Sequence, residues 1–176
     1  MCKKGLFITI SCMILVLTGL ALFNGPLTGT QEQTCLEILE YPNPILREDC
    51  VEVDVVDDEI RRLIDDMIAT MEKNGAVGMA APQVGVAKRV IVMQTQDGPR
   101  GFINPVILAK SNEEETAAEI CMSIMGNPVE VSRARTVVVG ALTREGEEIV
   151  MAVEGDEARR FQHEIDHVNG ILVIDY

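Results

Sequence analysis

The chain has 176 residues, of which 47% are hydrophobic and 24% are charged, and this length and composition indicate one globular domain with its own core. The formal net charge of −13 leaves no basic surface that could displace counterions from a phosphate backbone, which excludes a nucleic-acid-binding protein. The five cysteines are odd in number and widely spaced, which argues against a fold held by disulfides.

The N-terminus has the pattern of a targeting segment. Two lysines near the start precede an uncharged apolar run, residues 5–23, and a polar stretch follows at residues 24–33. The pattern predicts a secretory signal or an uncleaved membrane anchor over residues 1–33, with membrane association through the apolar run. The alternative is a buried apolar helix of the domain. The folded domain is therefore predicted over residues 34–176.

The first elements of the domain are predicted from prolines and from apolar periodicity. Two prolines within residues 36–46 indicate an extended, turn-rich entry, and weak alternation over residues 50–56 indicates a short strand or an extended segment. A core helix follows, which Asp57 or Asp58 caps and Asn74-Gly75 ends. Its apolar stripe recurs with helical spacing at Ile60, Leu63, Ile64, Met67, Ile68 and Met71.

A run of small residues occupies positions 75–85. Glycine and alanine dominate it, and the lysine that a phosphate-binding loop requires does not follow. Small residues let a backbone approach a ligand or a neighbouring strand closely. Two interpretations stay open from these residues alone: a tight loop without function and a substrate-binding loop.

Strands are predicted in the middle of the domain. Residues 88–94 have the character of a fully buried strand, and residues 101–108 form an extended run that Pro105 breaks. Residues 135–153 predict a β-hairpin, because β-branched and alternating segments flank a turn with glycine. An apolar tail at residues 171–174 ends the chain.

The last predicted helix, residues 157–168, holds both histidines of the chain. His163 and His167 are four positions apart, so on a helix both imidazoles can reach one metal ion. Glu164 lies about 100° around the helix, where the H-E-x-x-H pattern places a general base. The alternative is a surface helix that matches the pattern by chance. The predicted fold class is α+β, with mostly antiparallel sheets packed around this metal-binding HExxH helix.

A catalytic metal ion needs a third protein ligand and an open position. The chain has no third histidine, and Asp175 follows the helix too closely to be an obvious ligand. Cys121 is the remaining soft ligand, although a single cysteine is more often a small buried hydrophobe.

Three separated motifs, taken together, resemble peptide deformylase in order and spacing. They are Gly-Met-Ala-Ala-Pro-Gln at residues 78–83, Glu-Ile-Cys-Met-Ser at residues 119–123 and Gln-His-Glu-Ile-Asp-His at residues 162–167. Supporting similarities are residues 41–47, residues 102–105 and Arg133. The resemblance covers residues 36–176.

The resemblance implies hydrolysis of the N-formyl group from the N-terminal formyl-methionine of nascent polypeptides. It implies one divalent metal ion held by Cys121, His163 and His167. Ferrous iron is the expected metal in vivo, with nickel, cobalt or zinc as substitutes, and the donor set suits all of them. Glu164 would be the general base and acid.

Further roles follow from the same resemblance. Gln83 and the Met122 backbone N–H would meet the oxyanion. Val77, Gly78 and Ile120 would pair with the extended peptide as an added strand. A supporting layer behind the metal ligands is implied for Glu119, Arg133 and Asp166.

Some residues depart from the family pattern. Ala76 and Ile120 stand where the family has glycine. Ala76 is a mild departure, whereas Ile120 adds a β-branched side chain, which predicts a narrower or differently shaped groove. Arg159 and Arg160 lie on the stretch that helps to line the family's methionine pocket, which leaves the side-chain preference open.

The implied partners are N-formylmethionyl peptides on chains that emerge from ribosomes, which points to the cytoplasm, whereas the N-terminus points to export or to a membrane. Two other functions are weighed beside the deformylase: an exported HExxH zinc peptidase, and a degenerate deformylase-like protein that only binds peptides.

Overall fold

The computed structural model describes residues 34–176, so the signal-like or membrane-anchor segment predicted over residues 1–33 lies outside the described part. Between residues 34 and 176, neither helix is long and apolar enough to cross a membrane. The elements in chain order are α1 (Asp58–Lys73), β1 (Gly78–Ala80), β2 (Val90–Thr95), β3 (Gly98–Lys110), β4 (Glu114–Glu119), β5 (Val129–Ala134), β6 (Thr136–Leu142), β7 (Glu148–Glu154) and α2 (Gly155–Val168).

The strands form two antiparallel sheets. The larger sheet has five strands in the order β1-β2-β3-β6-β7, and β4 pairs with β5 in a separate two-stranded sheet. Two helices accompany these sheets, so the prediction of an α+β fold with mostly antiparallel sheets is confirmed. The predicted hairpin over residues 135–153 is also confirmed, as the pair β6 and β7.

Strand β2 packs against both helices. Ile91 and Met93 belong to the core cluster that includes Phe161 and Ile165 of α2, whereas the alternate residues of the strand belong to the cluster of α1. Successive side chains of a strand point to opposite faces of the sheet, so the five-stranded sheet lies between the two helices. All four residues 90–93 are buried, which confirms the prediction of a fully buried strand.

Helix α1 forms as its sequence predicts. Oδ1 of Asp57 accepts hydrogen bonds from the backbone N–H groups of Glu59 and Ile60, both at 3.0 Å, and Asn74 is the C-cap. These bonds satisfy N–H groups that the first turn leaves without intrahelical partners. The buried face of the helix consists of Ile60, Ile64, Met67, Thr70 and Met71.

The prediction that Pro105 breaks the extended run is wrong, because β3 continues from Gly98 to Lys110. The register shifts between Ile103 and Val106, and Asn104 adopts a left-handed conformation with φ of 50°. The Asn104 side chain accepts from the N–H of Val53 at 2.8 Å and donates to its carbonyl at 2.9 Å. A bulge places the proline, which has no N–H to donate, outside the regular ladder.

Residues 50–56 are extended, which is one of the two predicted alternatives, and they contain one isolated bridge between Val51 and Lys88. Cys121 lies two residues beyond the end of β4. Helix α2 begins at Gly155, two residues before the predicted start.

Candidate active site

The three candidate ligands come from two elements. His163 and His167 lie on one face of α2, and Cys121 approaches them from the turn after β4. One donor atom from each of these residues can be chosen so that all lie within 4.8 Å of one another. Sγ of Cys121 is 3.2 Å from Nε2 of His167. The fold therefore brings together residues that are more than forty positions apart in sequence.

These donors fit a single divalent metal ion. One thiolate and two imidazoles form a tetrahedral ligand set with a fourth position for water or substrate. Nδ1 of His163 is 2.8 Å from Oε2 of Glu119, which leaves Nε2 as the donor atom for a metal. Cys121 and His167 are buried, which keeps the donor atoms away from bulk solvent.

Glu164 lies directly beside the ligands on α2 and is buried. Its Oε2 has no hydrogen-bond partner within residues 34–176, and a buried carboxylate oxygen of this kind normally has a partner. Burial raises the pKa of Glu164 to about 7. A carboxylate with a pKa near neutrality can both accept and return a proton, which suits a general base.

Glu119 connects two arginines to a metal-ligand candidate. It accepts two hydrogen bonds from Arg133, at 2.7 and 2.9 Å, and one from Arg159 at 2.8 Å. Burial raises the pKa of Glu119, but the hydrogen bonds with His163 and Arg133 outweigh it and lower that pKa to about 2. The carboxylate therefore stays ionised and fixes the orientation of the His163 ring.

The same contacts explain the charge of His163 in the metal-free protein. Burial lowers the pKa of His163, yet hydrogen bonds with Cys121 and Glu119 and the charge of Glu164 raise it to about 10. Burial also lowers the pKa of His167, and together with the positive charge of His163 it brings that pKa to about 3.

Arg133 joins the Cys121 side of the site to helix α2. Besides Glu119, its guanidinium donates from Nη1 to Oδ2 of Asp166 at 2.6 Å. A third partner, which was not predicted from the sequence, is Tyr176, whose ring lies under the guanidinium with 4.8 Å between Cζ and the ring centroid. The Tyr176 hydroxyl donates to the same Asp166 oxygen at 2.8 Å and accepts from Arg133 at 3.2 Å. No local pattern in the sequence marks this tyrosine.

The side chain of Gln83 lies beside Cys121 and is held by hydrogen bonds at both ends of its amide. Its Oε1 accepts from the N–H of Ala80 at 2.8 Å, and its Nε2 donates to Oγ of Ser123 at 3.1 Å, with Sγ of Cys121 at 3.7 Å. These bonds fix the amide so that its N–H groups point towards the metal-ligand candidates. Ser123 is buried, and its role was not predicted from the sequence, although it lies in the cysteine motif.

A cavity of about 380 Å³ opens onto this cluster. Ile120 is 76% exposed and Val77 is 50% exposed, so both present apolar side chains at its rim. Arg133, Asp166 and His167 lie behind the cavity wall and do not line it. The predicted site residues that line it are Val77, Gly78, Gln83, Glu119, Ile120, Cys121, Met122, His163 and Glu164.

Strand β1 offers an edge beside this cavity. It is the terminal strand of the five-stranded sheet and pairs with β2 alone among the described elements. Gly78, its first residue, lines the cavity. A strand edge of this kind can pair with an extended peptide through main-chain hydrogen bonds.

The chain matches the family model described as polypeptide deformylase over residues 35–176. It is 44% identical to a peptide deformylase of Desulforudis audaxviator (strain MP104C) over 140 residues, which are 79% of this chain and 91% of that protein. It is 47% identical to peptide deformylase 1 of Clostridium perfringens (strain 13 / Type A) over 134 residues, which are 75% of this chain and 90% of that protein.

A solved structure gives the same result. The crystal structure of peptide deformylase from Thermotoga maritima superimposes with a TM-score of 0.78 at 40% sequence identity, over 80% of this chain and 96% of that chain. These similarities support neither of the alternatives, the exported zinc peptidase and the protein that only binds peptides.

Proposed function

The chain belongs to the peptide deformylase family, and on this basis we propose that Cys121, His163 and His167 hold the metal ion of its reaction. As a member of the family it is a metal-dependent hydrolase, which removes the N-formyl group from the N-terminal formyl-methionine of nascent polypeptides. The observation that carries the proposal is the meeting of three donor atoms within 4.8 Å beside a cavity. Helix α2 is then the metal-binding helix around which the sheets pack.

Ferrous iron is the metal that we propose for the cell. Nickel, cobalt and zinc suit the same donors, because one thiolate and two imidazoles accommodate each of these ions. When bound, the divalent ion acts as a Lewis acid that polarises a carbonyl and makes water more acidic.

Glu164 moves the proton in this proposal. Its carboxylate takes a proton from the attacking water and delivers that proton to the leaving amine. A bond forms between the water oxygen and the formyl carbon, the carbon–nitrogen bond breaks, and the products are formate and a peptide with a free N-terminus. The pKa of about 7 that burial gives Glu164 supports this role, because both proton transfers involve the same group.

Negative charge develops on the formyl oxygen during the reaction. We assign its stabilisation to the Gln83 side-chain amide and the backbone N–H of Met122, in addition to the metal. The bonds from Gln83 to Ala80 and Ser123 support this assignment, since a donor that is fixed before the reaction costs no reorganisation when charge develops.

The substrate peptide is proposed to lie along the edge of β1. The backbone of Val77 and Gly78 would pair with it on one side, and Ile120 would border it on the other. Glu119, at the cavity, and Arg133 and Asp166, behind its wall, are proposed to support the metal ligands. The exposed side chain of Ile120 narrows the groove from its outer side.

The cellular setting is also proposed. Residues 34–176 form the catalytic domain, and its substrates are N-formylmethionyl chains that emerge from ribosomes. Residues 1–33 act as a signal or an anchor, with membrane association through residues 5–23. A C-terminal tag, followed through membrane and soluble fractions, tests the anchor, and recovery of the tag in the soluble fraction alone at full length would contradict it.

The proposed function is tested with formyl-Met-Ala under anaerobic conditions, with the protein loaded with iron or nickel. We expect Cys121→Ser to lose both metal and activity, and Glu164→Ala to keep the metal and lose turnover. Cys35→Ser is the matched control, because Cys35 is exposed and does not line the cavity. Absence of formate release from the metal-loaded wild-type protein would overturn the proposal.

A further inference from the structure

Two consecutive arginines of α2 line the cavity, and they differ in their partners. Arg159 donates from Nη1 to Oε1 of Glu119 at 2.8 Å and to the carbonyl of Val131 at 2.9 Å, and it also contacts the carbonyl of Glu115. It forms an ion pair with a buried carboxylate, which it shares with Arg133, and its hydrogen bonds connect α2 to the two-stranded sheet. The guanidinium of Arg159 is therefore already hydrogen-bonded to other residues of the protein.

Arg160 has no such counter-charge. Its Nε donates to the carbonyl of Asp156 and its Nη1 to the carbonyl of Gln94, both at 3.2 Å. Within residues 34–176 no salt bridge involves Arg160, although its side chain also borders a second cavity that the acidic residues Glu154, Asp156 and Glu157 line. Both of its bonds are to neutral carbonyls, so N–H groups on Nη2 are left to donate to another acceptor.

The position of Arg160 on the helix relates it to the reacting group. It precedes Glu164 by four residues, which places it one turn away on the same helix face, at roughly 6 Å along the axis. Both side chains line the same cavity. A side chain as long as methionine extends several ångströms from the formylated nitrogen, so its end can lie in the part of the cavity that Arg160 lines when the formyl group is beside Glu164.

We infer that Arg160 makes this cavity accept an N-formylated residue whose side chain ends in an oxygen acceptor, and methionine sulfoxide in particular. The inference rests on the proposed function, since it takes the formyl group to react beside Glu164. The aliphatic part of Arg160 packs against the methylene groups of the substrate, and its free N–H groups donate to the sulfoxide oxygen. Oxidation of methionine creates this acceptor without lengthening the side chain.

The experiment compares substrates within one enzyme preparation. The ratio of kcat/KM for formyl-methionine-sulfoxide-Ala to kcat/KM for formyl-Met-Ala is measured for metal-loaded wild-type protein and for Arg160→Met. We expect this ratio to fall about tenfold in the variant, because a hydrogen bond to a charged donor is lost for one substrate only. A ratio does not depend on the folded fraction of the variant, so a poorly folding variant still gives an answer.

Three controls make the result specific. Arg62→Met removes an exposed arginine of α1 and should leave the ratio unchanged. Formyl-norleucine-Ala has an apolar side chain of the same length as methionine. Its kcat/KM relative to that of formyl-Met-Ala should be the same in the wild-type protein and in Arg160→Met. Arg160→Lys retains a cation and should keep part of the preference.

Two failures are distinguishable. A sulfoxide ratio that changes less than twofold in Arg160→Met, with normal hydrolysis of formyl-Met-Ala by the wild-type protein, would overturn the inference alone. Absence of formyl-Met-Ala hydrolysis by the metal-loaded wild-type protein would overturn the proposed function and the inference together.

Discussion

The carboxylate of Glu164 occupies the space beside the backbone of Gly78: a β-carbon at residue 78 would lie 2.5 Å from Oε1 of Glu164 and 3.0 Å from its Cδ. From the sequence, the run of small residues at positions 75–85 could be either a substrate-binding loop or a tight loop without function. The contact shows a close approach at Gly78 between the edge of β1 and the buried carboxylate of α2. Any larger residue at this position must move one of them.

Gly78→Ala should therefore damage catalysis more than folding. The added methyl group displaces the Glu164 carboxylate, and loss of a positioned general base lowers rates by about 10²-fold or more. We expect kcat to fall by that order while bound metal, measured by elemental analysis, stays at one equivalent. Gly140→Ala is the control, because its β-carbon would meet Cδ1 of Leu108 at 3.0 Å, an exposed side chain that can move. Full turnover in Gly78→Ala would contradict the assignment of Glu164.

Metal binding should release a proton from His163. Burial lowers the pKa of this imidazole in the metal-free protein, but the hydrogen bonds with Cys121 and Glu119 raise it to about 10, and a metal ion must displace the proton. We expect the apparent metal affinity to rise with pH between about pH 6 and 9. Calorimetry in buffers with different ionisation enthalpies measures the proton release directly.

The stability of the metal-free protein should change with pH in the opposite direction to the metal affinity. A raised pKa means that protonated His163 stabilises the fold fully below the ordinary value of 6.5, and this contribution is lost as the pH rises through about 10. Glu119→Gln removes the charge that favours the imidazolium and should flatten both dependences. Metal affinity that is independent of pH in the wild-type protein would contradict this account.

Tyr176→Phe tests the contact that closes the network around Arg133. The variant keeps an aromatic ring under the guanidinium but loses the hydroxyl, which bonds to Asp166 and Arg133. Because Tyr176 is largely exposed, we expect the free energy of unfolding to fall by only about 0.5–1 kcal/mol, and metal to dissociate a few times faster. Tyr41→Phe, at the other tyrosine, is the matched control. Equal effects of the two substitutions would show that the hydroxyl does not support the metal ligands.

Local signals in the sequence were sufficient to predict the two helices. The Asp57 cap, the apolar stripe of α1 and the four-residue spacing of His163 and His167 all act within a few turns of one helix, so short-range rules describe them. Strand β2 was equally clear because four consecutive buried residues need a sheet that is covered on both faces.

Contacts between distant segments could not be predicted in this way. Strand β4 carries mostly polar or exposed residues and lacks the apolar alternation that marks a strand, whereas β5 alternates only over residues 129–132. The ion pair of Arg159 with Glu119 joins residues forty positions apart, and the Tyr176 contact joins the last residue to Arg133. Such pairs depend on the tertiary fold and leave no local pattern.

Asn104 gives a test of how β3 passes Pro105. Its side chain bonds to both the N–H and the carbonyl of Val53, at 2.8 and 2.9 Å, and its φ is 50°. Asn104→Ala loses both bonds and holds a β-carbon in the left-handed region, so we expect the free energy of unfolding to fall by about 2–4 kcal/mol. Asn104→Gly loses both hydrogen bonds but has no such strain, so its free energy of unfolding should fall by about 1–3 kcal/mol. Asn112→Ala, at an exposed position, should be close to neutral. Urea denaturation of the metal-loaded proteins gives all three values, and an alanine variant at least as stable as the glycine variant would show that the left-handed conformation of Asn104 is not what carries β3 past the proline.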